Sequence, residues 1–183
     1  MRFRLSPLWF AAALAVSPGT FAQSSFGPEI SAEDFSQHLQ GLAVAKPGDH
    51  RFGDDAEALR LSYLRHQFMR LGLPTGPSRC GDGHGLQAEL AGAEKGLVPI
   101  VYYAPWTDAA QLAGVMEIAE RFMTSRPRPA HAVIFRFGVE PYPVLAGCNP
   151  AESSARIIQP EHLPTGDALA LVEKLIALQR QGR

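Results

Sequence analysis

Six histidines, eighteen carboxylates and two cysteines are the groups in this chain able to hold a metal, carry a proton or attack a carbonyl. Their spacing limits what they can do. The histidines show no HExxH or HxxxH pattern, which would set two imidazoles on one helical face, and none stands with a serine in a GxSxG turn. No glycine-rich loop of the phosphate-cradling kind is present. Cys80, Asp82 and His84 crowd into CGDGHG, and a flexible glycine loop holding one half of a disulfide accounts for them better than a metal does. Two acids stand just after strand-like runs. Asp108 in APWTDAA is read as a helix N-cap rather than a displaced ligand, and Glu140 in FGVEPYP is the one candidate base. His162 is a further candidate ligand. Trp106 and the pair Tyr102-Tyr103 lie where a cleft would be, as does Tyr142; they line a pocket or fill interior volume.

The elements that must position these residues follow from periodicity. SAEDFSQHLQGLA opens with Ser31 as N-cap and Asp34 three residues on, and Phe35, Leu39 and Leu42 share one helical face. Pro47 and Gly48 break the pattern, and Asp54 is placed to cap a second helix reaching about Leu71, with a face of Ala58, Leu61, Leu64, Phe68 and Leu71. Residues 72–85 read as a Gly/Pro-rich loop, and HGLQAELAG then alternates like a strand. LVPIVYYA and AHAVIFRFG are nearly continuous in apolar residues, as strands buried on both faces require. Between them lies an amphipathic helix carried by Leu112, Val115, Met116, Ala119, Phe122 and Met123. Strand, helix, strand with short connections predicts a parallel pair. A last helix through Ala168, Leu171, Val172, Leu175 and Leu178 is expected to pack on the sheet face.

The chain begins MRFRLSPLWFAAALAVSPGTFAQS, with Arg2 and Arg4, an apolar run from Leu8 to Val16, and small residues at Thr20-Phe21-Ala22. This reads as a secretory signal peptide over residues 1–22, too short to span a bilayer, which takes roughly 20 apolar residues. A periplasmic or secreted location is expected. Residues 23–183 then form a single domain. Losing two arginines takes the basic side chains from 17 to 15 against 18 acids, a net charge of −3. No attraction to nucleic acid follows from that balance, and no membrane insertion is expected after cleavage. Cys80 and Cys148 would meet an oxidising compartment, where a disulfide is the default for two cysteines without CxxC partners.

The order of these motifs resembles the zinc-dependent aminopeptidases of peptidase family M twenty-eight, whose relatives include glutaminyl cyclases and glutamate carboxypeptidases. HRFG resembles the family's G-R-x-x-G; GLQAELAG is similar to N-V-I-A-x-L-x-G; the strand ending at Ala104 stands where the family writes A-H-[YF]-D. MEIAERF resembles L-L-E-x-A-R-x-L, and VIFRFGVEPYPVLAGC resembles I-x-F-x-x-x-x-E-E-x-G-L-L-G-S. The resemblance covers roughly residues 30–150. It implies an α/β three-layer sandwich with a mostly parallel central sheet, zinc-aminopeptidase-like and shortened at its C-terminal side.

The resemblance also implies where two zinc ions would bind, and there the residues differ. The family's His and Asp after the strand become Pro105 and Thr107, and its bridging Asp becomes Ala110, counting back from Gly114. The Glu pair becomes Pro141 and Tyr142, with Glu140 one residue out of register. None of Pro105, Thr107, Ala110 and Tyr142 offers a carboxylate or imidazole. The expectation is therefore a non-catalytic protein of peptidase type, with no cofactor, that binds a peptide or protein partner. The alternative is an active zinc aminopeptidase with relocated ligands such as Asp108, Glu140 and His162.

Overall fold

The computed structural model describes residues 29–43, 55–78, 85–138 and 154–183. Residues 1–22, expected to be a signal peptide, and HRFG, Asp54, Cys80, Cys148 and the Glu140–Tyr142 stretch lie outside them.

Two helices come first, α1 (Ala32–Ala43) and α2 (Asp55–Arg70). Ser31 caps α1 as the sequence predicts: its Oγ accepts from the Asp34 amide at 3.0 Å and donates to the Asp34 carboxylate at 2.9 Å. Phe35 and Leu42 are buried on the predicted face, and so is His38, which lies between them on the same stripe. On α2, Leu64 and Phe68 are buried, but Ala58 is exposed. Arg60 and Gln67 take buried positions instead.

The sheet contains β1 (Thr75–Pro77), β2 (Leu86–Leu90), β3 (Ile100–Pro105), β4 (Val133–Gly138) and β5 (Arg156–Ile158), in the order β1-β2-β4-β3-β5. The segment expected to be all loop supplies β1, a three-residue edge strand that Gly76 and Pro77 disguise in the sequence. β3 and β4 run parallel, in register from Ile100 opposite Val133 to Pro105 opposite Gly138, and β5 adds parallel to β3. β2 opposes β4, and β1 opposes β2. Four strands thus share one direction, giving the mostly parallel sheet that the apolar runs predict, flanked by helices.

Both central strands are buried at every residue. On one face Tyr102, Ala104, Phe135 and Phe137 enter the main core with Leu86 and Ala88; on the other, Val101, Tyr103, Ile134 and Arg136 are also closed off from water. The buried guanidinium of Arg136 donates to its cross-strand neighbour Gln87 at 3.1 Å.

Helix α3 (Ala109–Thr124) is not the amphipathic surface helix that its apolar stripe suggests. Every residue from Gln111 to Glu120 is buried. The helix is enclosed by the sheet on one side and by α1 and by α4 (Ala168–Gln181) on the others. Gly114 permits the last of these approaches: a Cβ there would lie 2.9 Å from Leu163 Cδ1 and 3.2 Å from Leu175 Cδ2.

Leu171, Leu175 and Leu178 of α4 are buried as expected, while Ala168 in its first turn is exposed. The helix packs on α3 and α1 rather than flat on the sheet. Its C-terminal end meets β3. There Gly182 lets the chain pass over the Tyr102 ring, whose hydroxyl donates to Leu178 O at 2.8 Å.

Candidate functional site

In open parallel sheets ligands collect beyond the carboxyl ends of the strands, where successive turns leave a crevice. Here β3 and β4 end level with each other, and the Trp106 amide donates across to Gly138 O at 2.8 Å. The turn is fixed from below by Arg60 of α2, whose guanidinium donates to Trp106 O and to Leu42 O. Burial lowers the Arg60 pKa, and Asp108 partly offsets this. The same turn then delivers Asp108 to the start of α3.

Asp108 has an extended backbone and acts as the N-cap. Its Oδ1 accepts from the Ala110 amide at 2.9 Å and the Gln111 amide at 3.0 Å, and its Oδ2 accepts from Gln111 Nε2 at 2.9 Å. Gln111 Oε1 in turn accepts from Gln159 Nε2 at 3.0 Å, tying α3 to the segment after β5. These groups form one wall of an open cleft whose other wall is Glu161, His162, Leu163 and Thr165. His162 holds a left-handed backbone, φ 53°, a conformation that costs a non-glycine residue and that clusters at binding sites.

The residues that sequence singled out separate into three groups. Asp108 and His162 line this cleft, together with Ala110. Pro105 is the buried last residue of β3 and Thr107 is exposed on the turn. Tyr102, Tyr103 and Trp106 are interior. Tyr102 stacks on Phe135 and meets Phe122, and Trp106 lies against Phe137. Burial pushes the Tyr102 phenol well above its ordinary value.

A zinc centre at this edge does not fit the residues described there. Pro105, Thr107 and Ala110 offer no carboxylate or imidazole, and both oxygens of Asp108 are already engaged. Among the described residues, the one set of three His, Cys, Asp or Glu side chains that converge closely enough for a metal lies elsewhere.

That set is His38 of α1 with Glu117 and Glu120 of α3, all buried. His38 Nδ1 meets the Tyr63 hydroxyl of α2 at 2.9 Å, and Nε2 meets Glu120 Oε1 at 3.0 Å and Glu117 Oε1 at 3.6 Å. Glu117 Oε2 accepts from the Ser31 amide at 3.1 Å. Burial, reinforced by Glu120 and Asp34 against the Ser31 bond, pushes the Glu117 carboxyl up to about 8; burial foremost, then Glu120, pushes Tyr63 to about 12. Sequence reading passed over this cluster. His38 sits three residues after Phe35 and four before Leu42, so its place on the apolar stripe was visible. The two glutamates fall outside the apolar stripe of α3, and no motif in the sequence marks them.

No protein-family model matches the chain, and no curated protein does. Among solved structures, an amidase of the hydantoinase/carbamoylase family from Burkholderia multivorans is similar, with a TM-score of 0.51 and 11% identity over 85% of this chain and 42% of that one. Aminopeptidase PepT from Bacillus cereus aligns with a TM-score of 0.48 and 16% identity over 66% of this chain and 39% of that one. A Zn-dependent exopeptidase from Parabacteroides distasonis aligns at 0.45 and 13%, over 63% of this chain and 49% of that one. The first of these likenesses is one of fold. The chain spans less than half the length of each of these proteins.

Proposed function

We propose that this protein is an exported, non-catalytic relative of the zinc peptidases that uses the cleft at the carboxyl edge of its sheet to bind a peptide segment of its partner. The observation that carries the reading is the engagement of Asp108. The acid nearest the family's ligand positions has both oxygens engaged as a helix cap, in three hydrogen bonds that a metal would have to compete with. The cleft still offers amide groups from Gln111 and Gln159, a carboxylate from Glu161 and an imidazole from His162, which suit peptide N–H and C=O groups. Export rests on the leader-like residues 1–22.

A second reading is favoured by one observation: Asp108 and His162, two of the three residues a relocated centre would use, line the same cleft. Aminopeptidase assay of the mature chain with added zinc separates the two. Hydrolysis that disappears on chelation establishes the second reading, and peptide binding without hydrolysis supports the first.

A further inference from the structure

We propose that His38, Glu117 and Glu120 form a buried site for one divalent transition-metal ion, zinc by donor chemistry, that fastens α1 to α3 and takes no part in chemistry at the cleft.

Geometry is the first argument. Two ligands about 2.1 Å from a tetrahedral zinc lie about 3.4 Å apart. The two separations from His38 Nε2, 3.0 Å to Glu120 and 3.6 Å to Glu117, bracket that value, and all three ligand atoms lie within 4.8 Å of one another. The two His38 separations need to change by only a few tenths of an ångström to match that value.

The second argument is independent of the clustering. Glu117 is 1% exposed, and its Oε1 has no hydrogen-bond partner, although its Oε2 has one. A buried acceptor left empty is costly, and this one faces His38 Nε2 and the Glu120 carboxylate. A cation between the three atoms would satisfy it. The charge also balances, since two carboxylates and a neutral imidazole cancel a divalent ion in an interior that penalises net charge.

The surroundings are those of a ligating histidine. Tyr63 holds the far ring nitrogen at 2.9 Å; with Nδ1–H donating to that hydroxyl, Nε2 is the nitrogen that presents its lone pair to the ion. The Ser31 amide holds the far oxygen of Glu117 in the same way. Glutamates at positions i and i+3 of one helix, with a histidine from a second, place the ion across a helix–helix contact. With His38, Glu117 and Glu120 at 6%, 1% and 5% exposure, substrate has no access, so the ion would be structural.

The test uses the full mature chain and zinc alone as probe. Protein is dialysed against chelator, incubated with zinc, freed of excess metal and analysed for zinc content; the thermal midpoint is measured on a second sample with free zinc present and compared with the chelator-dialysed protein. We expect one zinc per chain and, with free zinc 100-fold above its Kd, a midpoint raised by about 5 °C or more. Glu120→Gln and His38→Gln should weaken binding at least tenfold, and Tyr63→Phe should do so to a smaller degree while leaving the stoichiometry at one. Because the His38 variant risks misfolding, X-ray absorption of the zinc-loaded wild-type protein provides a second reading. It should show one imidazole and otherwise oxygen ligands. Sulfur in the coordination shell would assign the ion to Cys80 or Cys148 and overturn the proposal. So would wild-type protein that takes up no zinc, or zinc retained by Glu120→Gln and lost by His162→Ala.

Discussion

Replacing Tyr102 by Phe removes one oxygen atom and distinguishes a structural tyrosine from a cleft-lining one. The hydroxyl donates to Leu178 O at 2.8 Å, with Gln179 O at 3.3 Å. In an uninterrupted helix Leu178 O would receive the Gly182 amide, but that amide donates to Gln179 O at 3.1 Å. Tyr102 of β3 therefore acts as a C-terminal cap for α4, and Phe would leave a buried carbonyl without this donor. The ring contacts with Phe135 and Phe122 would survive. An unsatisfied buried group of this kind costs about 1–3 kcal/mol. For a domain of this size each kcal/mol moves the melting temperature by about 2–4 °C, so a loss of about 2 kcal/mol lowers it by roughly 4–8 °C. Thermal unfolding followed by circular dichroism, in buffer with fixed zinc or chelator, measures this directly. Peptide binding should be unchanged. An unaltered melting temperature combined with weakened peptide binding would refute the reasoning and return Tyr102 to the cleft.

Asp108→Ala should destabilise the protein by about 1 kcal/mol through loss of the α3 cap, whereas Asp108→Asn should restore most of it; equal effects of the two in denaturant titration would argue for a charge-dependent role. In chelator-dialysed protein the folded state holds the Glu117 proton up to about pH 8, against an ordinary value of 4.5. That proton's contribution to stability is complete below pH 4.5 and is lost as pH rises through 8, so the stability of the wild-type protein should fall across this window and that of Glu117→Gln should fall less. Matching pH profiles from denaturant unfolding would contradict this. Cys80 and Cys148 should be bonded in exported protein, closing a loop whose crosslink removes on the order of 4 kcal/mol of unfolded-state entropy; two free thiols on titration of denatured, unreduced protein would end that expectation.

The parts of the fold legible in sequence were those where one physical rule acts alone. Ile100–Pro105 and Val133–Gly138 read as strands because a sheet buried on both faces requires uninterrupted apolar residues. Ser31 and Asp108 read as caps because a short acceptor side chain must meet free amides at a helix start. The misses arose where tertiary context decides. Ala58 and Ala168 match apolar periodicity yet are exposed near the starts of their helices. Thr75–Pro77 carries no strand signal because its pairing partner, not its composition, makes it a strand. The buried cluster was missed for a related reason. A stripe through Leu112, Val115 and Phe122 left Glu117 and Glu120 looking solvated, when Ala113, Gly114 and Ile118 around them were the sign of a helix enclosed on all sides. At the carboxyl edge, the residue types at Pro105, Thr107 and Ala110 were legible, but that Asp108 spends both oxygens on α3 and Gln111 is a fact of geometry.

The central proposal is that this protein binds a peptide and does not hydrolyse it, and a steady-state aminopeptidase assay tests it most directly. Mature protein, loaded with zinc and incubated with a panel of aminoacyl p-nitroanilides, should release product no faster than the chelator-treated control. A single buried zinc in the same preparation leaves that expectation unchanged. Zinc-dependent release that is lost both on chelation and in Glu140→Ala would contradict the account and establish an enzyme with relocated ligands.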